Sequence, residues 1–566
     1  MNYKDNYKRW IESNVLSAID KEELISIASD EKEIEERFYR ELEFGTAGMR
    51  GILGMGTNRI NIYNVRQASQ GVAEYVKKEG EKAAKAGVLI GYDTRNFSKE
   101  FAEETARVLC ANGIKTYLFP MVHSVPEVSF GIRELKCSAG VMITASHNPK
   151  EYNGYKVYGS DGGQLPPEAA KTVIDSISVC DIFNDVKLIT LDEAKETGLL
   201  EYTSEELDER FISTVMKQQI NPDAVYDVAD TMKLIYTPFH GTGSRPIKEV
   251  LKRIGFKNVL VVKEQDTEDG DFPTVLSPNP ENKEGFRIAI EMAKENDVDL
   301  IIGTDPDCDR VGIVVRDAQG EYRTLTGNQT GALLVEYILR AKAENNTLPQ
   351  NGVVIKTIVT TELAAAIAKA YNIEIMNVLT GFKYIGEKMT DFANTGSHTY
   401  LIGFEESYGY LIGDHARDKD GVVATMLIAE MAAYYKKLGM SAYEALQNIY
   451  KKYGCFAERT VSFTMPGKDG MEMMSSLLKK LREEPIKSVA GMKVVKCTDY
   501  LRDKTGLPSS DVLKYELDDE KTYFIIRPSG TEPKIKIYLG TSAEEFSDAE
   551  IVIDNVLGDI KKYMNL

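Results

Sequence analysis

Residues 88–113 read VLIGYDTRNFSKEFAEETARVLCANG, and this stretch decides the class of fold. VLIGY is a short run of apolar and β-branched side chains, the length and composition of a strand buried on both faces. The following SKEFAEETARVLCA sets Ala102, Ala106, Leu109 and Cys110 on one face of a helix that Gly113 ends, with Ser98 expected as its cap. A buried strand feeding an amphipathic helix is one βα unit of a mostly parallel sheet. YLF (117–119) and GVMIT (140–144) extend that block. A second block runs through KLIYTP (233–238), NVLVV (258–262), a helix near 284–295 and DLIIGT (299–304). A third holds VVIKT (353–357), a helix at 361–371, IEIMNV (373–378), TYLIGF (399–404) and a long apolar-faced helix, GVVATMLIAEMAAYYKKLG (421–439). The end of the chain reads differently. RTVSFTM, a helix near 470–482, YFIIRPSG, KIKIYLG and a last helix predict a smaller α+β domain.

The 566 residues exceed what one core organises and suit about four domains. The expected division is 1–215, 216–330, 331–455 and 456–566, with the polar stretch RAKAENNTLPQNG (340–352) as the best interdomain loop. Three successive βαβ-rich blocks predict a structural repeat, although the residues themselves show none. Apolar residues at 43% and charged residues at 28% are ordinary for a soluble globular protein. Subtracting 87 acidic from 69 basic side chains leaves −18, which argues against nucleic acid or an anionic membrane as partner. An anionic ligand must therefore be caught by local cations. Six cysteines lie far apart without a C-x-x-C pair, as expected for a reducing compartment. The first residues are polar, and no apolar run approaches the length of a membrane span, so the expected location is cytoplasmic.

Chemistry concentrates in four short stretches. TASHNP (144–149) leaves a strand with Ser146 and His147 side by side and a turn enforced by Asn148–Pro149, a place for a nucleophile. A hydrolase elbow needs glycines where Thr144 and Asn148 stand. DPDCDR (305–310) sets Asp305, Asp307 and Asp309 on one turning loop after a strand, hard oxygen ligands of the kind magnesium takes. An EF-hand is excluded because Arg310 and Arg316 occupy its glycine and bidentate glutamate positions. GFEESYGY (403–410) offers Glu405 and Ser407 on the same side of an extended segment, able to grip a diol. RPSGTEPKIKIY (527–538) gathers Arg527, Ser529, Gly530 and Thr531 into a phosphate cradle between two strands. HGTGSRP has proline in place of the third glycine of a dinucleotide fingerprint, Gly467 opens no nucleotide P-loop, and the five histidines form no H-E-x-x-H pair.

Taken together and in this order, the four stretches resemble the α-D-phosphohexomutase superfamily, over about residues 45–540. The resemblance implies an α/β, four-domain phosphohexomutase architecture, three similar mixed domains plus a smaller C-terminal α+β domain around a central cleft. It implies an intramolecular phosphotransferase that moves phosphate between C1 and C6 of a sugar through a phosphoserine and a bisphosphate intermediate. By the same resemblance Ser146 carries the phosphate and joins Asp305, Asp307 and Asp309 as a ligand of Mg2+. Arg50 in FGTAGMRG, His147 and Lys156 look like the family's cationic and proton-handling neighbours, the general base falling among His147, Lys156 and nearby groups. Arg310 belongs beside the metal loop, Thr380 and Gly381 in LTGFKYIG to the loop that distinguishes sugar orientations, and Lys419 in RDKDG to the substrate contacts. Glu405 and Ser407 would hold sugar hydroxyls. Arg527, Ser529, Gly530, Thr531 and Lys536 would hold the unreacting phosphate.

A long amino-terminal segment before FGTAGMRG and SVP at Ser124–Pro126 resemble the longer phosphoglucomutase and phosphopentomutase branch. The expected ligands are therefore small sugar phosphates. Glucose phosphate comes first, with glucose 1,6-bisphosphate as activator and intermediate, and mannose or pentose phosphates are the alternatives. A magnesium-dependent sugar phosphatase, in which the acids activate water, is the rival enzyme class.

Overall fold

The computed structural model describes residues 2–45, 48–465, 467–528 and 534–564. Strand Val88–Tyr92 pairs in parallel with Thr116–Leu118 on one side and Ala139–Ile143 on the other, and Ala139–Ile143 pairs antiparallel with Tyr152–Gly159. The second sheet repeats this arrangement. Lys233–Thr237 lies in parallel between Asn258–Val261 and Leu300–Thr304, and Leu300–Thr304 turns back into antiparallel Val311–Arg316. The third sheet does so again, with Gly352–Thr357 between Glu374–Val378 and Thr399–Phe404, which returns as Tyr410–Ile412. The expected repeat is thus one of topology. Its consequence is positional. TASHNP, DPDCDR and EESYG each occupy the connection from the third strand of the unit to the antiparallel fourth, so each opens from the carboxyl end of a parallel strand, where α/β folds bind ligands. The fourth sheet is a six-stranded antiparallel one backed by helices Gly467–Glu483 and Phe546–Met564.

Several expectations change. Two glycine-rich strands, Phe44–Gly45 and Gly48–Ile52, precede Val88–Tyr92 and extend the first sheet. They lack the β-branched run that advertises a strand. Ser98 does not cap its helix: Phe97 holds that position with φ +65°, and the Ser98 hydroxyl donates to Asp93 Oδ1 at 2.7 Å. Residues 340–344 are the last turn of helix Gly327–Glu344, so the loop at 345–351 lies within the third unit rather than between domains. The positions 215 and 330 fall inside helices Glu205–Met216 and Gly327–Glu344. The amino-terminal segment forms helices Tyr3–Glu12, Ala18–Ser26 and Glu31–Phe38, which bury Trp10, Leu24 and Phe38 against Tyr63. One apolar cluster runs through the first three units and encloses helix Gly421–Lys437, apolar nearly all round. All six cysteines are free. No helix among the described residues is long and apolar enough to cross a membrane.

Candidate active site

Ser146 sits at the tip of its loop with φ +53° and is buried. Its amide donates to Thr144 Oγ1 at 2.8 Å, and Thr144 Oγ1 in turn donates to Asp307 Oδ2 at 3.2 Å. The Ser146 hydroxyl donates to Asp305 Oδ2 at 2.8 Å and lies 3.2 Å from His147 Nδ1. The Ser146 loop and the acidic loop, about 160 residues apart in the chain, therefore meet directly. Asp305, Asp307 and Asp309 are all buried and bring ligand oxygens within 4.8 Å of one another.

Those oxygens are short of partners. Asp307 Oδ1 and Asp309 Oδ1 are buried and accept no hydrogen bond, a costly condition for carboxylates unless a cation meets them. Burial and the neighbouring Asp307 and Asp309 charges push the Asp305 carboxyl well above its ordinary range. A small divalent cation with oxygen preference fits that donor set. Asp307 Oδ2 and Asp309 Oδ2 are neutralised from two other units. Lys156 Nζ lies 2.9 Å from Asp307 Oδ2 and 3.3 Å from Asp309 Oδ2, and Lys419 Nζ lies 3.2 Å from Asp309 Oδ2 and 3.0 Å from Asp418 Oδ1. Burial works to raise the Asp309 carboxyl, but Lys419, Lys156 and Arg310 hold it below the usual carboxylate range. Arg310 donates to Glu281 Oε1 at 3.0 Å. Burial lowers the His147 imidazole well below its ordinary value, and Arg310, Arg50, Arg95 and Lys156 add to that, which keeps the ring neutral. Arg50 reaches the same loop through Asn148 Oδ1, at 2.9 Å.

Backbone contacts lock the loops of the three units together. Val311 N donates to Tyr408 O at 3.0 Å, Gly421 N to Cys308 O at 3.0 Å, and Val125 N to Asp307 O at 2.9 Å. Gly409 is required by this closeness, since a Cβ there would come within 2.1 Å of the Lys419 side chain. The segment carrying Glu405 and Ser407 is a turn and not the expected extended piece. Glu405 N donates to Gly409 O at 2.9 Å, and Tyr408 takes φ +67°. Glu405 is buried and accepts from Gly381 N at 2.9 Å, while the Thr380 hydroxyl is buried without a partner. Ser407 is half-buried in the same turn. In the fourth sheet Arg527 and Lys536 are register partners across a hairpin, so both cations leave one face of the sheet. The charge of Lys536 reaches Glu406, and Arg527 reaches Tyr384 and Tyr538. Ser529, Gly530 and Thr531 lie outside the described residues.

Similarity to known proteins decides the lineage. Residues 41–180, 209–320 and 326–453 match the descriptions phosphoglucomutase/phosphomannomutase, alpha/beta/alpha domains I, II and III. The chain belongs to the phosphoglucomutase/phosphomannomutase family. Within it, a phosphoglucomutase of Staphylococcus haemolyticus is 36% identical over 93% of this chain and 95% of its own length. One of Staphylococcus aureus is 33% identical over 94% and 97%. Among solved structures, the open form of parafusin, a phosphoglucomutase from Paramecium, superposes with a TM-score of 0.68 at 18% identity, covering 93% of this chain and 96% of that one. A phosphoglucomutase/phosphomannomutase family protein of Burkholderia thailandensis gives 0.64 at 17%, covering 91% and 97%. At such identities those two likenesses concern the fold alone.

Two buried groups of the site were not singled out in the sequence. Arg95 donates to the carbonyl oxygens of Ser146 and Asn148 through Nη2, and to those of Pro149 and Tyr152 through Nη1 at 2.9 and 3.0 Å. Asp93 holds the same guanidinium from behind at 3.3 Å. The signal was present in YDTR, an acid and an arginine directly beyond the end of a buried strand.

Proposed function

We propose that this chain interconverts glucose 1-phosphate and glucose 6-phosphate, with Ser146 as phosphoryl carrier and glucose 1,6-bisphosphate as the intermediate. The observation that carries the reading is the convergence of the Ser146 hydroxyl, the three carboxylates and the cations of Lys156, Lys419 and Arg310 from three different units of the chain. Acids alone would repel a phosphate, and cations alone would hold it without activating it. Asp305, Asp307 and Asp309, with phosphorylated Ser146, would hold Mg2+, which when bound neutralises phosphoryl oxygens and makes the serine oxygen a better leaving group.

The chain's own residues do the rest. The phosphorus–oxygen bond to Ser146 breaks as one forms to the free sugar hydroxyl, whose proton passes to His147 or a neighbouring base; Lys156, which the sequence offered for that role, is held as a cation against Asp307 and Asp309 and serves the charge of the site instead. A neutral His147 suits that task, since an imidazole already protonated accepts nothing. The bisphosphate then turns over and returns its other phosphate to Ser146. Glu405, Ser407 and the Thr380–Gly381 loop orient the sugar hydroxyls, while Arg527 and Lys536, together with Ser529, Gly530 and Thr531, hold the phosphate that is not reacting. Positioning of this kind supplies most of the barrier reduction in phosphoryl transfer. Closure of the fourth domain over the sugar keeps water from hydrolysing the phosphoserine.

The test is peptide mapping of purified protein for phosphate on Ser146, then incubation with glucose 1-phosphate, Mg2+ and a trace of glucose 1,6-bisphosphate. Phosphoserine at 146 and appearance of glucose 6-phosphate are expected. Release of inorganic phosphate without isomerised sugar would make the chain a phosphatase. Faster turnover of mannose or pentose phosphates would move the substrate assignment while leaving the chemistry.

A further inference from the structure

A second cluster of metal-ligating groups lies where the first unit meets the second. His123 is buried, and its ring stacks on Phe119 with centroids 3.8 Å apart and planes 22° from parallel, so its orientation is fixed. Its Nδ1 lies 2.9 Å from the Met121 carbonyl oxygen. A carbonyl can only accept, so Nδ1 carries a proton and the lone pair of the neutral ring is on Nε2. That nitrogen faces Asp208 Oδ1 at 3.0 Å.

Glu127 completes the cluster. It is buried, and its Oε2 is committed to the Ser124 amide at 2.9 Å and hydroxyl at 2.7 Å, which fixes the carboxylate. One ligand atom from each of His123, Glu127 and Asp208 falls within 4.8 Å of the other two. At the point where they converge stands a cation of the protein's own. Arg245 Nη2 is 2.9 Å from His123 Nε2, 2.8 Å from Asp208 Oδ2 and 3.8 Å from Glu127 Oε1. The Arg245 side chain is 45% exposed and can leave toward solvent.

The geometry points to a divalent transition-metal site of the zinc class formed by His123 Nε2, Asp208 and Glu127, for which the Arg245 guanidinium is a displaceable occupant. One imidazole nitrogen with two carboxylates is a donor set for Zn2+, Co2+ or Mn2+ and not for Mg2+, which prefers oxygen alone. The Nδ1–H to carbonyl bond and the Ser124 bonds to Glu127 are the outer contacts that orient such ligands. The site is separate from the aspartate triad, yet one residue connects them, because Val125 N donates to Asp307 O at 2.9 Å.

The test uses full-length protein in millimolar Mg2+, so that the triad is supplied with its own ion, and Co2+ as the probe, followed by visible absorption and calorimetry. Wild type is expected to take up one Co2+ that excess Mg2+ does not displace. Arg245→Gln, which removes the occupant and leaves all three ligands, should bind about tenfold more tightly, and His123→Gln should lose at least about tenfold. Binding seen only in Arg245→Gln and lost again in the double variant with His123→Gln also supports the site. An Arg245→Gln protein of unchanged melting temperature with no Mg2+-resistant Co2+ overturns it. So does binding that His123→Gln leaves unaltered, or a thiolate charge-transfer band, which would put the ion on a cysteine.

Discussion

Arg95 acts on the candidate site through the backbone rather than through the groups proposed to react. Four backbone carbonyls of the Ser146 loop converge on one buried guanidinium, and the peptide of Ser146 itself is among them. The left-handed φ of Ser146 would relax without that hold. Arg95→Lys keeps the charge but not the fork. It is expected to lower kcat on the order of ten- to a hundredfold with little change in KM, since a displacement of about 1 Å at the reacting oxygen has that effect. Arg95→Met leaves Asp93 buried and unpaired, and should cost about 3–5 kcal/mol of stability in denaturant titration. An Arg95→Lys enzyme with wild-type kcat would remove Arg95 from the machinery. The acidic loop makes a separate prediction. Asp307→Asn removes a charge from a buried oxygen without partner, so the Mg2+ concentration for half-maximal turnover should rise and kcat should fall about a hundredfold with the fold intact. Ser146→Ala should abolish both turnover and phosphate incorporation. Residual turnover in that variant would reject Ser146 as the carrier.

At the scale of the element, the three related units divide labour in the same way. The carboxyl end of the first parallel strand of each, with the segment after it, supports the functional loop after the third. Arg95 supports the Ser146 loop, Thr242 bonds the Pro306 carbonyl through both amide and hydroxyl, and Thr357 and Thr360 donate to Glu406. This is why the loops were legible and their supports were not. Asp305, Asp307 and Asp309 stand out as a pattern of like residues within five positions. Arg95, Thr242 and Thr360 have nothing in common except a place that only the topology reveals. The strands were legible where both faces are buried, as in VLIGY and DLIIGT, and not where glycines made them, as in FGTAGMRG. The third support segment also meets the fourth domain, and there a titration is exposed to test. Burial pushes the Glu458 carboxyl from 4.5 up to about 7, with Glu362 adding and Thr361, Lys356 and Asn328 opposing. A carboxyl raised in the folded state contributes stability that is complete below about pH 4.5 and is lost as pH rises through about 7. Glu458→Gln should therefore match wild type near pH 5 and exceed it by on the order of 2 kcal/mol at pH 8, allowing for partial exposure to solvent. Parallel pH profiles of the two proteins in thermal unfolding would show that Glu458 is not held in its protonated form.

Across the whole molecule, the apolar cores are unequally shared. The largest cluster passes through the first three units without interruption, so those units have no seam along which to part. The fourth domain keeps a core of its own, between its sheet and helices Gly467–Glu483 and Phe546–Met564. It meets the third unit through a smaller patch in which Ile358, Val359 and Leu379 face Tyr500, Tyr523, Ile525 and Tyr538. A domain with a separate core and a modest interface can open without unfolding its neighbours. The proposed reaction requires such freedom, because its bisphosphate would have to turn end for end in a site that excludes water during each transfer. Amide hydrogen exchange is the measurement that reads it. Without ligand, protection along Cys455–Thr464, where the fourth domain joins the third, should be at least about tenfold lower than along Gly421–Lys437. With glucose 1,6-bisphosphate and Mg2+, strands Tyr523–Pro528 and Lys534–Ala543 should gain protection while the first three units change little. The gain should vanish in Arg527→Ala, whose cation is the one expected to seize the distal phosphate. Equal protection in all four domains, or a gain that survives Arg527→Ala, would mean that the fourth domain is a fixed wall of the cleft and that water is kept out by some other part of the chain.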